Sequence, residues 1–339
     1  MTAEETDLTQ TPNPENAGIH KSFTEQVGAG RGSVDEPDSS RFIIARDPAR
    51  AIRRGRNLFQ RKFRLAEGLG PRTDDGIGDI AADASLGAGL ADSCAACHGR
   101  PRGSAGFGGD VFTRPDSRDA PHLFGLGLQE MLADEITGQL RAQRDEAVDQ
   151  ALATGPVVVD LVAKGVHYGT LSVDGNGNVD TSGIEGVDDD LRVRPFFAEG
   201  STISMREFIV GAFNAEMGLE SPDPDVAAAA AGQWVVTPSG MVLDGTADAI
   251  EDAPVHGILE DSDDDGVANE IPPAVVDFME FYLLNYFKPG RYEPTTQALL
   301  GRITMLLVMR ILVLLLGVIL CGNANLLSDL WKRDISDYC

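Results

Sequence analysis

The sequence predicts a mainly α-helical fold with long loops and a few short strands, and three observations carry that prediction. Apolar residues recur at helical spacing in residues 46–63, 203–217 and 273–287. Between them run stretches rich in Gly and Asp, and the chain's 38 glycines are scattered rather than gathered into a nucleotide-cradling loop. Strand-like runs are confined to residues 157–162 and 191–196. At 339 residues and 42% hydrophobic content, the chain is long enough for two modest domains with a real core.

The elements follow in order. Residues 1–40 are polar and read as a flexible leader. Residues 46–63 place Ala51, Ile52, Leu58, Phe59 and Phe63 between basic residues, as an amphipathic helix does. Residues 67–91 form a Gly- and Asp-rich loop. A short helical turn opens at Cys94, with Gly99 and Pro101 ending it. A second helix is expected over residues 134–144. The clearest helix, residues 203–217, has Ser201 or Thr202 as its cap and Met205, Phe208, Ile209, Ala212, Phe213 and Met217 on one face, with Gly218 ending it. The last, residues 273–287, starts on a proline and carries Val276, Met279, Tyr282, Leu283 and Tyr286.

Cys94-Ala95-Ala96-Cys97-His98 is the motif with the most chemistry in it. Two thiols two residues apart can each add across a haem vinyl group, and the adjacent imidazole then becomes the iron's proximal ligand. Half a zinc site and a redox dithiol are the competing readings. A zinc site needs a second ligand pair, and Cys321 and Cys339 are far away and not so spaced. A dithiol of the thioredoxin type needs a surrounding βαβ pattern, which is not visible. The motif therefore predicts one covalently bound haem c, held by Cys94, Cys97 and His98.

The net charge of −25 excludes nucleic acid as a partner, because phosphate binding needs a basic footprint. Against that background residues 46–64 form a basic island. It is either an ordinary basic helix face or a complement to haem propionates or to an acidic redox partner. No nucleophile elbow, phosphate loop or His-Glu-x-x-His is present. The N-terminus has neither a basic region nor an apolar core of a signal peptide. Because c-type haem is attached outside the bacterial inner membrane, the expected location is nevertheless the periplasm or cell envelope.

A series of residues resembles the bacterial di-haem oxidoreductase family, relatives of the di-haem cytochrome c peroxidases. It begins with Arg54-Gly55-Arg56-Asn57-Leu58-Phe59, Phe63 and Glu67-Gly68-Leu69-Gly70-Pro71, then runs through the Cys94–His98 motif to Gly99. Phe124-Gly125-Leu126-Gly127-Leu128, Val193-Arg194-Pro195-Phe196, Met205-Arg206-Glu207-Phe208 and Gly211-Ala212-Phe213-Asn214 follow in order, then residues 263–271. The resemblance implies a cytochrome c-like haem domain over residues 41–302 and a peroxidase-like oxidoreductase acting with a redox partner protein or small oxidant. It also implies a second haem motif after Gly301-Arg302. There the pattern departs, and residues 303–320 are apolar apart from Thr304 and Arg310. Residues 303–339 are then a membrane-spanning tail, a buried core helix or a frame-shifted start of a second haem domain. With a single haem, the alternative function is a mono-haem electron-transfer cytochrome without catalytic activity.

Two further ligand sets are candidates. Met217 ends the apolar stripe of its helix and is either the sixth iron ligand or core filler. His122 is another candidate for that position, alongside His20, His167 and His256. Asp261, Asp263, Asp265 and Asn269 alternate around Gly266 as calcium-binding loops do, although position twelve is Pro272 rather than a bidentate Glu. Glu270 is a substitute for it, and a plain acidic loop is the competing reading. Asp174-x-Asn176-x-Asn178 is a weaker echo and reads better as a turn.

Overall fold

The computed structural model describes residues 22–63, 69, 93–98, 121–197, 200–252 and 267–285. Among these are eight helices and five short strands, so the described part is mainly helical. The expected tail over 303–339 and Asp261, Asp263 and Asp265 lie outside the described residues. None of the described helices is long and apolar enough to cross a membrane.

Residues 22–40, expected as part of the flexible leader, are built into the fold. Helix α1 (Phe23–Val27) carries a reciprocal capping box between Ser22 and Glu25. Helix α2 (Ser40–Arg46) is capped by Ser39. The amphipathic helix expected over 46–63 begins later, because Asp47 has non-helical angles and caps α3 (Pro48–Gln60), whose first residue is proline. Part of the basic island is absorbed here. Arg50 and Arg54 both bind Asp38, and the Arg54 guanidinium also donates to the Gln26 carbonyl and lies over the Phe278 ring.

A one-turn helix, α4 (Cys94–Cys97), is followed by α5 (Leu126–Thr154), a helix of 29 residues. The expected helix over 134–144 is thus only its middle. Its far end buries mainly Ala147 and Ala151, a stripe too narrow to stand out in a polar, alanine-rich sequence with good helix propensity. That stripe packs on an antiparallel sheet of β1 (Val157–Ala163), β2 (Val166–Val173) and β3 (Val179–Asp180). The β1–β2 turn, Lys164-Gly165, has positive φ at both residues, as a two-residue hairpin of right-handed twist demands. The expected turn at Asp174 joins β2 to β3, its carboxylate accepting from the Asn176 and Asn178 amides; these bonds, led by the Asn178 side chain, lower its pKa.

The strand expected over 191–196 is not formed. Leu191 is left-handed, Val193 donates to the Thr137 hydroxyl, and the Pro195 carbonyl accepts from Gln129. The segment is tied to side chains of α5 instead of to a neighbouring strand, and only Phe196 forms an isolated bridge, to Thr202.

Helix α6 (Met205–Met217) starts later than expected, with Ser204 rather than Ser201 or Thr202 as its cap, and ends at Gly218. Helix α7 (Pro224–Ala230) leads to a hairpin of β4 (Trp234–Val236) and β5 (Val242–Asp244), and α8 (Pro273–Asn285) follows. The main core joins α2, α3, α6, α7 and α8 with the start of α5, while a second core lies between the rest of α5 and the three-stranded sheet.

Two features lock the main core. Helix α8 crosses α3 at Gly55 and α5 at Gly127. A Cβ at Gly55 would lie 2.2 Å from the Phe278 carbonyl oxygen, and one at Gly127 would lie 2.4 Å from that of Leu284. The second feature is a buried ionic cluster around Arg206. Its guanidinium grips Asp223 through two nitrogens (2.8 and 2.6 Å), Asp277 at 2.8 Å and Glu280 at 2.9 Å. Arg31 reaches Asp225 and Asp277 from the N-terminal segment, and Ser40 donates to Asp277. Burial pushes Glu280 up to about 7, with Asp277 adding to the rise and Arg206 opposing it.

Glu130 sets a pH dependence. Its buried carboxyl accepts from the Met205 amide at 2.8 Å, and burial pushes it up to about 8 from an ordinary 4.5. The folded chain therefore keeps this proton when the unfolded chain has lost it, and stability falls as pH rises from about 5 to 8. Thermal melts should show that decline, and Glu130→Gln, which keeps an oxygen for Met205, should make it shallower by about 1.4 kcal/mol per pH unit. Equal slopes would remove Glu130 as the cause.

Candidate functional site

The Cys94–His98 segment is one helical turn. Ser93 precedes it in an extended conformation, and the His98 amide donates to the Cys94 carbonyl at 3.0 Å. Cys94 and His98 stand four residues apart on the turn, so their positions share a face, and Cys97 is three residues on from Cys94.

The His98 ring is oriented from two sides. Its Nδ1 lies 2.9 Å from the Pro121 carbonyl oxygen. A carbonyl can only accept, so Nδ1 carries the proton and donates it, which makes Nε2 the nitrogen with a lone pair for a metal. The Phe59 ring lies 6.2 Å from the imidazole centroid and 5.7 Å from Tyr282. The helix crossing at Gly55 thus reaches the imidazole through Phe59, one turn further along α3.

Cys94 packs against the main core. Burial pushes its thiol up to about 12, so at neutral pH it is protonated. A thiolate for zinc or for disulfide exchange is disfavoured in such surroundings, whereas a thioether carries no charge and suits them.

The structure treats the other candidates differently. Met217 is buried at the end of α6, in the same core against which Cys94 packs. His122 is exposed, stacks on Phe124, and accepts through Nδ1 from the Phe124 amide at 3.4 Å. His167 is exposed on β2, beside the second core, and His20 and His256 lie outside the described residues. Asn269 is left-handed, and its amide donates to Glu220 at 3.2 Å. Glu270 turns towards the same residue, accepting from the Glu220 amide at 2.9 Å. Burial pushes Glu270 up to about 8, and the Glu220 carboxylate adds to the rise. Glu220 carried no signal in the sequence, because its neighbour Glu270 is fifty residues away. Among the described residues no group of three or more His, Cys, Asp or Glu is set to hold a metal ion.

No protein-family model matches the chain, and no curated protein or solved structure is significantly similar to it.

Proposed function

We propose that this chain is a c-type haem redox protein built on a cytochrome c-like domain, with Cys94 and Cys97 as tethers and His98 as proximal ligand. The observation that carries the reading is the Nδ1 bond from His98 to the Pro121 carbonyl, which fixes the tautomer a metal-binding imidazole needs. The crossing of α3 and α8 beside the Cys turn, and the apolar setting of Cys94, support the same reading. Bound haem would supply one-electron chemistry at iron. The chain's own residues do the rest: Pro121 and Phe59 hold the imidazole plane, and the main core excludes water from the Cys94 side.

The ordered motifs shared with the di-haem oxidoreductases favour a peroxidase-like oxidoreductase carrying its first haem site here, working in the periplasm or cell envelope. The presence of Met217 in the same core against which Cys94 packs favours the second reading, a mono-haem electron-transfer protein whose iron takes a thioether as sixth ligand.

Expression with a c-type maturation system tests both. The protein should keep a haem through denaturing electrophoresis, and Cys94→Ser/Cys97→Ser should lose it while remaining folded by circular dichroism. Haem retained by the double variant would sink the proposal. Met217→Leu preserves packing volume. A lowered potential in that variant favours electron transfer, while an unchanged potential with rapid peroxide reactivity favours the oxidoreductase.

A further inference from the structure

The tip of the β4–β5 hairpin reaches into the ionic cluster around Arg206. Ser239, in the tip, donates through Oγ to Glu280 Oε2 at 3.0 Å, the same oxygen that Arg206 meets at 2.9 Å. The buried Thr237 hydroxyl lies near the same carboxyl. Yet Glu280 Oε1 and Thr237 Oγ1 make no hydrogen bond of ordinary geometry among the described residues. Glu280 is fully buried, so the hairpin tip is part of what keeps water from it.

The cluster holds more acid than base. Arg206 and Arg31 are its cations, set against Asp223, Asp225, Asp277 and Glu280. With every group ionised, the excess would be negative charge in the core, which is costly. Each of the three aspartates is met by two guanidinium nitrogens, whereas Glu280 is met by one. Glu280 is therefore the member best placed to carry a proton, and its burial favours the neutral form, with Asp277 adding to that and Arg206 opposing it. From α5 the Glu130 carboxyl repels it when both are ionised. From α3 Arg54 lies over Phe278 of the same helix but is paired with Asp38.

The hairpin has little support of its own. Its strands are three residues each and pair only with one another, and a lone two-stranded hairpin is marginal in water. It is held by Leu243, Val235 and Met241 against the main core and by its tip on Glu280, while Trp234, Val236 and Val242 face solvent.

We propose that Glu280 works the β4–β5 hairpin as a proton-operated latch, docked while the carboxyl holds its proton and lifted when the proton leaves. An ionised carboxyl gains most from water, and lifting the hairpin admits water to it. Docked, Glu280 keeps its proton up to about 7, and hydrated it would release it near the ordinary 4.5. The docked form thus binds more protons over that interval, so lifting is favoured as pH rises from about 5 to 7 and levels off above. Lifting bares Leu243, Val235 and Met241, so the latch sets how much apolar surface the chain shows near neutral pH.

Hydrogen exchange of the full chain, corrected for the intrinsic pH dependence of amide exchange, tests this. Peptides spanning residues 233–245 should open about tenfold more per pH unit between about 5 and 7, whereas peptides from α3 should not follow them. Glu280→Gln, neutral at every pH and close in shape, should hold the hairpin shut and abolish the dependence. Glu130→Gln should leave it in place. Ser239→Ala removes a donor to the charged form, so it should raise opening severalfold at pH 8 and change it little at pH 5. A wild-type hairpin whose opening is flat from pH 5 to 8, or a dependence that survives Glu280→Gln, would overturn the latch. So would opening of α3 in step with the hairpin. If Glu280→Gln does not fold, Ser239→Ala still decides, since an equal effect at pH 5 and pH 8 would overturn the proposal too.

Discussion

Arg206→Leu should destabilise the fold by about 3–5 kcal/mol, because it strands Asp223 and Glu280 in the core without their cation and leaves Asp277 only Arg31, at 3.6 Å. In thermal melts near pH 8 that loss corresponds to a drop of roughly 10 °C or more. Glu280, already pushed up to about 7 by burial, escapes by taking up a proton, so the deficit should shrink as pH falls towards 5. Arg206→Lys should recover little of it. An ammonium cannot grip Asp223 through two nitrogens while also reaching Asp277 and Glu280. A loss that is the same at pH 5 and pH 8 would show that lost packing, not stranded charge, is the cause.

Gly55→Ala is the second large effect, and its sign is what makes it informative. In an exposed helix, alanine in place of glycine adds up to about 1 kcal/mol of stability. Here the new methyl would meet the Phe278 carbonyl oxygen at 2.2 Å and the Tyr282 Cβ at 2.4 Å, so α3 and α8 must part. The expected loss is about 3 kcal/mol. Gly138 supplies the contrast, since it sits within α5 with open space where a Cβ would go, and Gly138→Ala should stabilise. Melts of the two variants should therefore move in opposite directions. On the haem reading, because Tyr282 contacts Phe59 and Phe59 contacts His98, Gly55→Ala should also reduce the fraction of chain carrying haem.

What the sequence revealed and what it hid divide along physical lines. The Cys-x-x-Cys-His turn, the apolar stripe of α6 and the proline that opens α8 are local signals, complete within a few residues. Helix α5 was half hidden because alanine buries without looking hydrophobic in a charged segment. Strand β2 is obscured although Lys164-Gly165 marks its hairpin turn, because its alternation slips phase at Gly169, between Val166 and Tyr168 on one side and Leu171 and Val173 on the other. The strand read into 191–196 fails because its Val193 amide and its Pro195 carbonyl meet the hydroxyl and amide side chains of Thr137 and Gln129 on α5. The Arg206 cluster and the Glu220–Glu270 contact are invisible in principle to a linear reading, since each joins residues tens of positions apart.

The half-buried setting of Cys94 also bears on timing. In the finished fold the thiol is protonated, a poor state from which to react. On the haem reading, attachment takes place outside the inner membrane and therefore after synthesis, which leaves the folding interval as its opening: the cysteines are accessible while α8 has yet to close over α3 beside the turn, and the packing of that helix seals a reaction already finished.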